Sequence, residues 1–367
     1  PFYSGNGVSK TQEFLMKMAQ FISITLVIIL GMFLNTCGQM TSNDEGMASK
    51  SIEEASGTTD DTTTTDDTTT TDNTTTTDNT TTTDDTTTCD STVSFVAVGP
   101  DGTILTSSDN GISWCSRTAG ISQSLFGITY GNSTFVAVGA NGTILTSSDG
   151  ISWTSRTSGT SKYLYEITYG SSTFMAVGQT GTILTSSDGT SWDNKTSGTT
   201  TNLKGVTHDG VGLFATVGES GTILTSPDNG STWTSRTSGT SNGLNGVINR
   251  NNAFVVVGGS GTILTSSGAA TWTSRTSGSS NNLTGITYGN STFVAVGANG
   301  TMLTSTDNTS WTTTGSGISN TLWGVIYGKS AFVVVGQSGT ILTSSDGISW
   351  TSRSSGTISH LEDVISN

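Results

Sequence analysis

From Val93 onward the apolar residues fall into short runs separated by Gly, Asn, Asp and Ser, and the runs recur. A Phe-[Val/Met/Ala]-[Ala/Val/Thr]-Val-Gly segment begins at Phe95, Phe135, Phe174, Phe214, Phe254, Phe293 and Phe332, a spacing of 39 or 40 residues. Each copy continues through Gly-Thr-Ile-Leu-Thr-Ser (Met302 replaces Ile once) and a turn to a Trp, at 114, 153, 192, 233, 272, 311 and 350. A seven-fold period near 40 residues signals a propeller or a solenoid. Within the second copy the pattern predicts four short strands, Leu125–Tyr130, Thr134–Val138, Thr143–Ser147 and Ser152–Thr157. The intervening Gly-Asn-Ser, Gly-Ala-Asn-Gly and Ser-Asp-Gly are hairpin-turn chemistry. Phe135-Val136-Ala137-Val138 is apolar at consecutive positions, as in a strand covered on both faces. No helical period appears after residue 90.

The first copy has no strand ahead of Val93–Val98. Leu361-Glu362-Asp363-Val364-Ile365 aligns with the first strand of the second copy and supplies the missing one. The expected fold is all-β: a seven-bladed β-propeller of four-stranded antiparallel blades over residues 90–367, closed by the C-terminal strand pairing with the N-terminal blade. Such closure removes the open edges that would template aggregation.

The first 89 residues read differently. Met16-Lys17-Met18 precedes a 14-residue apolar run, Phe21–Leu34, of signal-peptide length. A spanning helix needs roughly 20 apolar residues. Leu34-Asn35-Thr36-Cys37-Gly38 resembles the lipobox of bacterial lipoproteins, with Thr36 where Gly, Ala or Ser is usual. The resemblance implies lipidation at Cys37. An ordinary signal peptide or a short uncleaved anchor are the other readings, and all three export the rest of the chain. Residues 1–37 are thus expected to be a leader and 38–89 a spacer. Residues 58–88 contain only Thr, Asp and Asn, with Asp-led pairs every six residues from Asp60 to Asp84. Nothing there can build a core, and like charges extend the chain. The expected location is the outer face of a bacterial membrane or the cell surface.

The net charge of −14 sharpens this division. Residues 1–89 hold 3 Lys and 13 Asp/Glu, a net of −10, leaving −4 for the remainder. An acidic leader and a near-neutral repeat region exclude nucleic acid as an expected partner. Two His and three Cys leave little for a zinc site or His-based catalysis, and no metal or cofactor is implied.

Ser107-Ser108-Asp109-Asn110-Gly111-Ile112-Ser113-Trp114 resembles the Asp-box (BNR) repeat of sialidase-like propellers, and Ser226 to Trp233 matches equally well. The copies at Asp149, Asp188 and Asp346 are one residue shorter, Asp307 lacks the Gly, and the copy at Gly268 has lost the Asp. The resemblance implies that the Asp accepts backbone N–H bonds while the Trp packs between blades, a structural role. The Gly-Thr-Ile-Leu-Thr-Ser context also resembles photosystem II stability/assembly factor-like propellers, which implies assembly work at a membrane. Fold likeness carries function only weakly.

Three functions compete. A sialidase-like glycoside hydrolase would need an Arg cluster and paired carboxylates. Arg117, Arg156, Arg236, Arg275 and Arg353 instead occupy one repeated position on the outermost strand. Glu362 and Asp363 are adjacent, and consecutive strand residues are expected to face opposite sides. A multivalent carbohydrate-binding propeller would need the blades to match in their binding loops. They differ most there: the residue after the first-strand Leu is Phe126, Tyr165, Lys204, Asn245, Thr284, Trp323 or Glu362. The favoured reading is a non-enzymatic binding or assembly module with a protein or glycan partner. Phe126, Lys162, Tyr163, Tyr165, Trp323, His360 and Glu362 come from neighbouring blades and form the expected patch at the channel mouth, since exposed aromatics with a few charges suit recognition. The membrane is engaged only through the N-terminal lipid or anchor.

With Cys37 lipidated, Cys89 and Cys115 remain as a pair in an oxidising compartment. Cys115 follows Trp114 where five of the other copies carry Thr and one carries Asp193, and it is the copy nearest Cys89. A disulfide between them is expected.

Overall fold

Consecutive apolar residues form the second strand of every blade, where neighbours cover both faces: Phe95, Val96, Ala97 and Val98 are all fully buried. The computed structural model describes residues 89–367. The expected leader, Cys37 and the spacer up to residue 88 lie outside them.

The described residues form seven four-stranded antiparallel sheets. The second blade runs Leu125–Gly131, Thr134–Gly139, Ile144–Ser147 and Thr154–Arg156, in sequence order. Its fourth strand starts later than the pattern predicts because Ser152 donates its N–H to the Asp149 carboxylate (2.8 Å). The first blade joins Phe95–Val98, Thr103–Ser107 and Cys115–Thr118 to Asp363–Ser366. That last strand pairs antiparallel from Phe95↔Ser366 to Val98↔Asp363, which closes the propeller as expected. It also packs against Leu322–Gly328 of the seventh blade and Leu125–Gly131 of the second.

The core lies between blades. Val96, Val98 and Ile104 of the first blade pack with Phe135, Ala137 and Leu145 of the second. Phe95, Ala97 and Leu105 turn the other way, to Val333, Val335 and Ile341 of the seventh. Alternate residues of one strand thus serve two cores, each buried Val or Phe contributing about 1.5–3 kcal/mol.

The tight turn between second and third strands places Asn141 (φ 55°) and Gly142 (φ 70°) both at positive φ, the type I′ geometry that suits twisted hairpins. A Cβ on Gly142 would collide with the Thr160 carbonyl oxygen, so only Gly fits.

The Ser-Asp-Gly turns are held by side chains. Ser147 donates its hydroxyl to Asp149 Oδ1 (2.8 Å), which also accepts the Ile151 and Ser152 N–H groups. Trp153 Nε1 donates to the Gly150 carbonyl (3.1 Å). The Ser152 N–H and the other donors hold the Asp149 carboxyl down to about 2, against the opposing effect of burial. In the fifth blade Gly268 stands in place of the Asp, and Ser266 Oγ and Trp272 Nε1 are buried without partners. Cys89 and Cys115 form a disulfide with Cα atoms 5.7 Å apart, and Arg117 Nη2 donates to the Asp90 carbonyl (3.0 Å) beside it.

Candidate binding site

The innermost strands carry an irregularity at one repeated place. Leu125 pairs with Gly139 and Gly127 with Val138, so Phe126 is an extra residue without a partner. The same shift occurs between Leu164 and Glu166, and at the corresponding places of blades four to seven. A bulge breaks the in-and-out alternation of a strand and re-aims its side chains. In blades three to seven, consecutive residues at this place therefore line the axial cavity. The cavity holds about 600 Å³, and its wall includes Phe126, Tyr165, Glu166, Lys204, Trp323, Glu362 and Asp363. This corrects the expectation that Glu362 and Asp363 face opposite sides, because both line this cavity.

The second residue of each pair is Gly127, Glu166, Gly205, Gly246, Gly285, Gly324 or Asp363. Glycine suits the crowding near the axis. A Cβ on Gly127 would lie 2.9 Å from Glu166 Cα, and one on Gly324 2.9 Å from Asp363 Cα. Two blades break the glycine pattern with acids, and they flank the blade that carries Gly127. Glu166 Oε1 accepts the Ile167 N–H (2.8 Å). Asp363 Oδ1 accepts from Val364 N (2.8 Å) and Oδ2 from Ile128 N of the second blade (2.9 Å). Each acid is largely buried and lines the cavity. Burial pushes Asp363 up to about 7, opposed by its two backbone donors and assisted by the Glu362 charge. Burial, with the Asp363 charge added, holds Glu166 well above the usual carboxylate range. Burial also raises Glu362, with His360 pulling the other way.

Three of the expected aromatic side chains lie together. Phe126 lies 5.9 Å from Tyr163 and 6.0 Å from Tyr165, and the two tyrosines meet edge-on at 6.4 Å. Lys204 Nζ sits 3.5 Å from the centre of the Tyr165 ring and 3.7 Å from Glu219 Oε1. Trp323 is in the cavity wall, and its buried indole nitrogen has no hydrogen-bond partner.

Of the seven expected patch residues, Phe126, Tyr165, Trp323 and Glu362 line the cavity. Lys162, Tyr163 and His360 are exposed, in the loops that lead into the innermost strands, and are not part of its wall. His360 is engaged: its Nδ1 accepts the Ser338 N–H (3.0 Å). Asn245 and Thr284 also reach the cavity, but they tie blades together. Asn245 Nδ2 donates to the Leu283 carbonyl (2.7 Å) and Thr284 Oγ1 to that of Leu322 (2.6 Å). Glu166 was not among the expected residues. Its signal was present in the column of five glycines and two acids.

The five repeated arginines lie elsewhere. Each donates its Nε to a Thr hydroxyl of the third strand at 2.8 Å, as Arg117 does to Thr106 and Arg156 to Thr146. None lines the axial cavity.

Seven four-stranded blades around a lined axial cavity define a seven-bladed β-propeller. The fold is shared with solved propellers at low identity. One is YCF48 bound to D1 peptide (TM-score 0.54, 17% identity, covering 70% of this chain and 86% of that one). Another is YCF48 from Cyanidioschyzon merolae (0.56, 16%, 68% and 90%). A third is the WD40 propeller domain of Doa1 (0.53, 14%, 70% and 88%). No protein-family model and no curated protein matches the sequence.

Proposed function

We propose that this propeller is an exported, surface-tethered module, held by lipid on Cys37 beyond its Thr/Asp spacer, that binds a polypeptide at the channel mouth and performs no catalysis. The observation that carries the reading is the asymmetry of the mouth. Blades that are near copies elsewhere diverge at the bulge, and Phe126, Tyr163 and Tyr165 gather on two adjacent blades with Lys204 set against Tyr165. Clustered aromatic anchors beside a desolvated pocket are what binding hot spots use. A protein of the same fold with a D1 peptide bound supports the reading by analogy. The Ser–Asp–Trp turns support kinship with Asp-box propellers, where that repeat is structural. Ring-wide glycan binding would require equivalent pockets, and the bulge residues are not equivalent.

A random-peptide display selection on the full chain tests this. Binders should be recovered, and Tyr165→Ala and Trp323→Ala should each release them while leaving the circular dichroism spectrum unchanged. Binders indifferent to both changes would overturn the site. The tether has its own test: Cys37→Ala should yield an exported protein no longer retained by membranes, and unchanged retention would favour an uncleaved Phe21–Leu34 anchor.

A further inference from the structure

Resting on the binding-module reading, we propose that the cavity below the mouth is a receptor for one basic side chain, a lysine or arginine of the bound polypeptide, seated between the aromatic wall and the Glu166–Asp363 pair.

The argument begins with the column that lines the channel. Five blades place glycine there and two place acids, with Gly127 between them. Gly127 leaves room for the Glu166 carboxylate, which a Cβ there would approach to 3.2 Å. The Asp363 charge acts on Glu166 and the Glu362 charge on Asp363, and neither Glu166 nor Asp363 is paired with a cation. Buried charges are normally paired or given up by protonation; with no cation beside it the pair holds protons instead, and the place of a positive partner stays open.

The charged and titratable groups facing the pair leave the deficit standing. Glu362, next to Asp363 in the chain, adds negative charge. His360 lies outside the cavity beside Glu362 and is bonded to Ser338 N. Tyr165 is neutral at ordinary pH. Lys204 is the one basic residue of the cavity wall, and it is already engaged with the Tyr165 ring and Glu219.

Lys204 also shows what the wall accepts. An ammonium rests 3.5 Å from the Tyr165 ring centre, within the range of a cation–π contact. A second cation, entering past Phe126 and Trp323, would meet the same kind of aromatic face and then the carboxyl pair. A cavity of about 600 Å³ holds a Lys or Arg side chain with room for water. The unpaired indole N–H of Trp323 offers a donor in the same wall, which suits a peptide carrying carbonyl groups better than a bare metal ion. Because burial keeps protons on the pair near neutrality, a cation entering the site displaces protons, and binding strengthens as pH rises.

The test uses full-chain protein and capped pentapeptides, acetyl-Gly-Gly-Xaa-Gly-Gly-amide, with Xaa as Lys, Arg, norleucine or Glu. Lys and Arg peptides should bind, norleucine should bind roughly tenfold more weakly, and Glu should not bind. Affinity for the Lys peptide should rise from pH 5.5 to 8. Calorimetry in two buffers of different ionisation enthalpy should register proton release. Glu166→Gln preserves shape and the acceptor for Ile167 N–H, and it should reduce both the affinity and the proton release. Equal binding of Lys and norleucine, absence of Lys-peptide binding at millimolar concentration, or an unaffected Glu166→Gln variant would overturn the cation site. Display-selected peptides that need Tyr165 and Trp323 but carry no common basic residue would also overturn it, while leaving the binding-module reading standing.

Discussion

Asp363 Oδ2 accepts the backbone N–H of Ile128 at 2.9 Å, joining the C-terminal strand to a blade 235 residues earlier in the chain. The other carboxylate oxygen accepts the Val364 N–H. One acid thus fastens the seam of the ring, lines the channel and titrates near neutrality.

That combination predicts an inverted pH profile. Burial raises Asp363 from 3.8 to about 7, and Glu166 is raised as well. Between about pH 4 and 7 the folded chain keeps protons that the unfolded chain has released, so these groups cost stability as pH rises through that window. The Asp turns act oppositely. Asp149 is held at about 2, so its stabilisation is present above pH 4 and lost as pH falls towards 2. Stability should therefore peak near pH 4–5. Glu166→Gln should raise the melting temperature at pH 8 and change little at pH 4. An equal change at both pH values would show that ionisation is not the cause.

The two sides of the mouth should separate binding from stability. Thr284→Ala removes the hydroxyl that reaches Leu322 O, and Asn245→Ala removes the amide that reaches Leu283 O. Each should cost about 1 kcal/mol in denaturant unfolding and change peptide affinity far less than the aromatic variants do. Trp323→Ala and Tyr165→Ala should weaken peptide binding by about 1–3 kcal/mol. Equal affinity losses on both sides would return the ring-wide reading.

The fifth blade is open to repair. Gly268 replaces the turn Asp and leaves Ser266 Oγ and Trp272 Nε1 buried without partners. The double change Gly268→Asp with Ala269→Gly recreates the Ser-Asp-Gly turn of the second blade. A Cβ at Gly268 meets nothing nearer than 3.8 Å, but Gly268 (φ 76°) and Ala269 (φ 57°) both sit at positive φ, so the double variant must re-form the turn with only the new Gly left-handed, as around Asp149 and Gly150. The expected gain is about 1–2 kcal/mol by denaturant midpoint. A loss would mean that the turn backbone cannot adopt the form seen around Asp149.

The disulfide should matter most under reducing conditions. It spans 26 residues, for which the chain-entropy model gives about 3 kcal/mol. Reductant should lower the melting temperature of the parent protein and not that of a Cys89→Ser/Cys115→Thr variant. Free thiols at both positions in exported protein would remove the effect altogether.

The sequence carried the ring plainly, because the 39–40-residue period, the buried Phe-Val-Ala-Val runs and the displaced first strand are all local patterns. The aromatic gathering of Phe126, Tyr163 and Tyr165 could also be read, since ring order places their blades side by side. What could not be read was the bulge. Strand alternation assigned Glu362 and Asp363 to opposite sides, but Glu362 lies just ahead of the strand Asp363–Ser366, where its N–H bonds Val98 O, and both acids reach the cavity. Glu166 was hidden for the same reason, beside the more conspicuous Tyr165. Lys162, Tyr163 and His360 precede the innermost strands, where the backbone serves the turns: the Tyr163 carbonyl accepts from Gln179 N (2.8 Å).

The seam also sets an order of events in time. Phe95–Val98 is made early, but its inner partner, Asp363–Ser366, is made some 270 residues later. Until residue 366 has emerged, the first blade is an exposed edge and the ring an open arc. Non-local pairings of this kind are slow to form, and an unpaired edge invites pairing with another chain. The same strand that completes the channel therefore ends the period in which a growing chain can be captured by its neighbour.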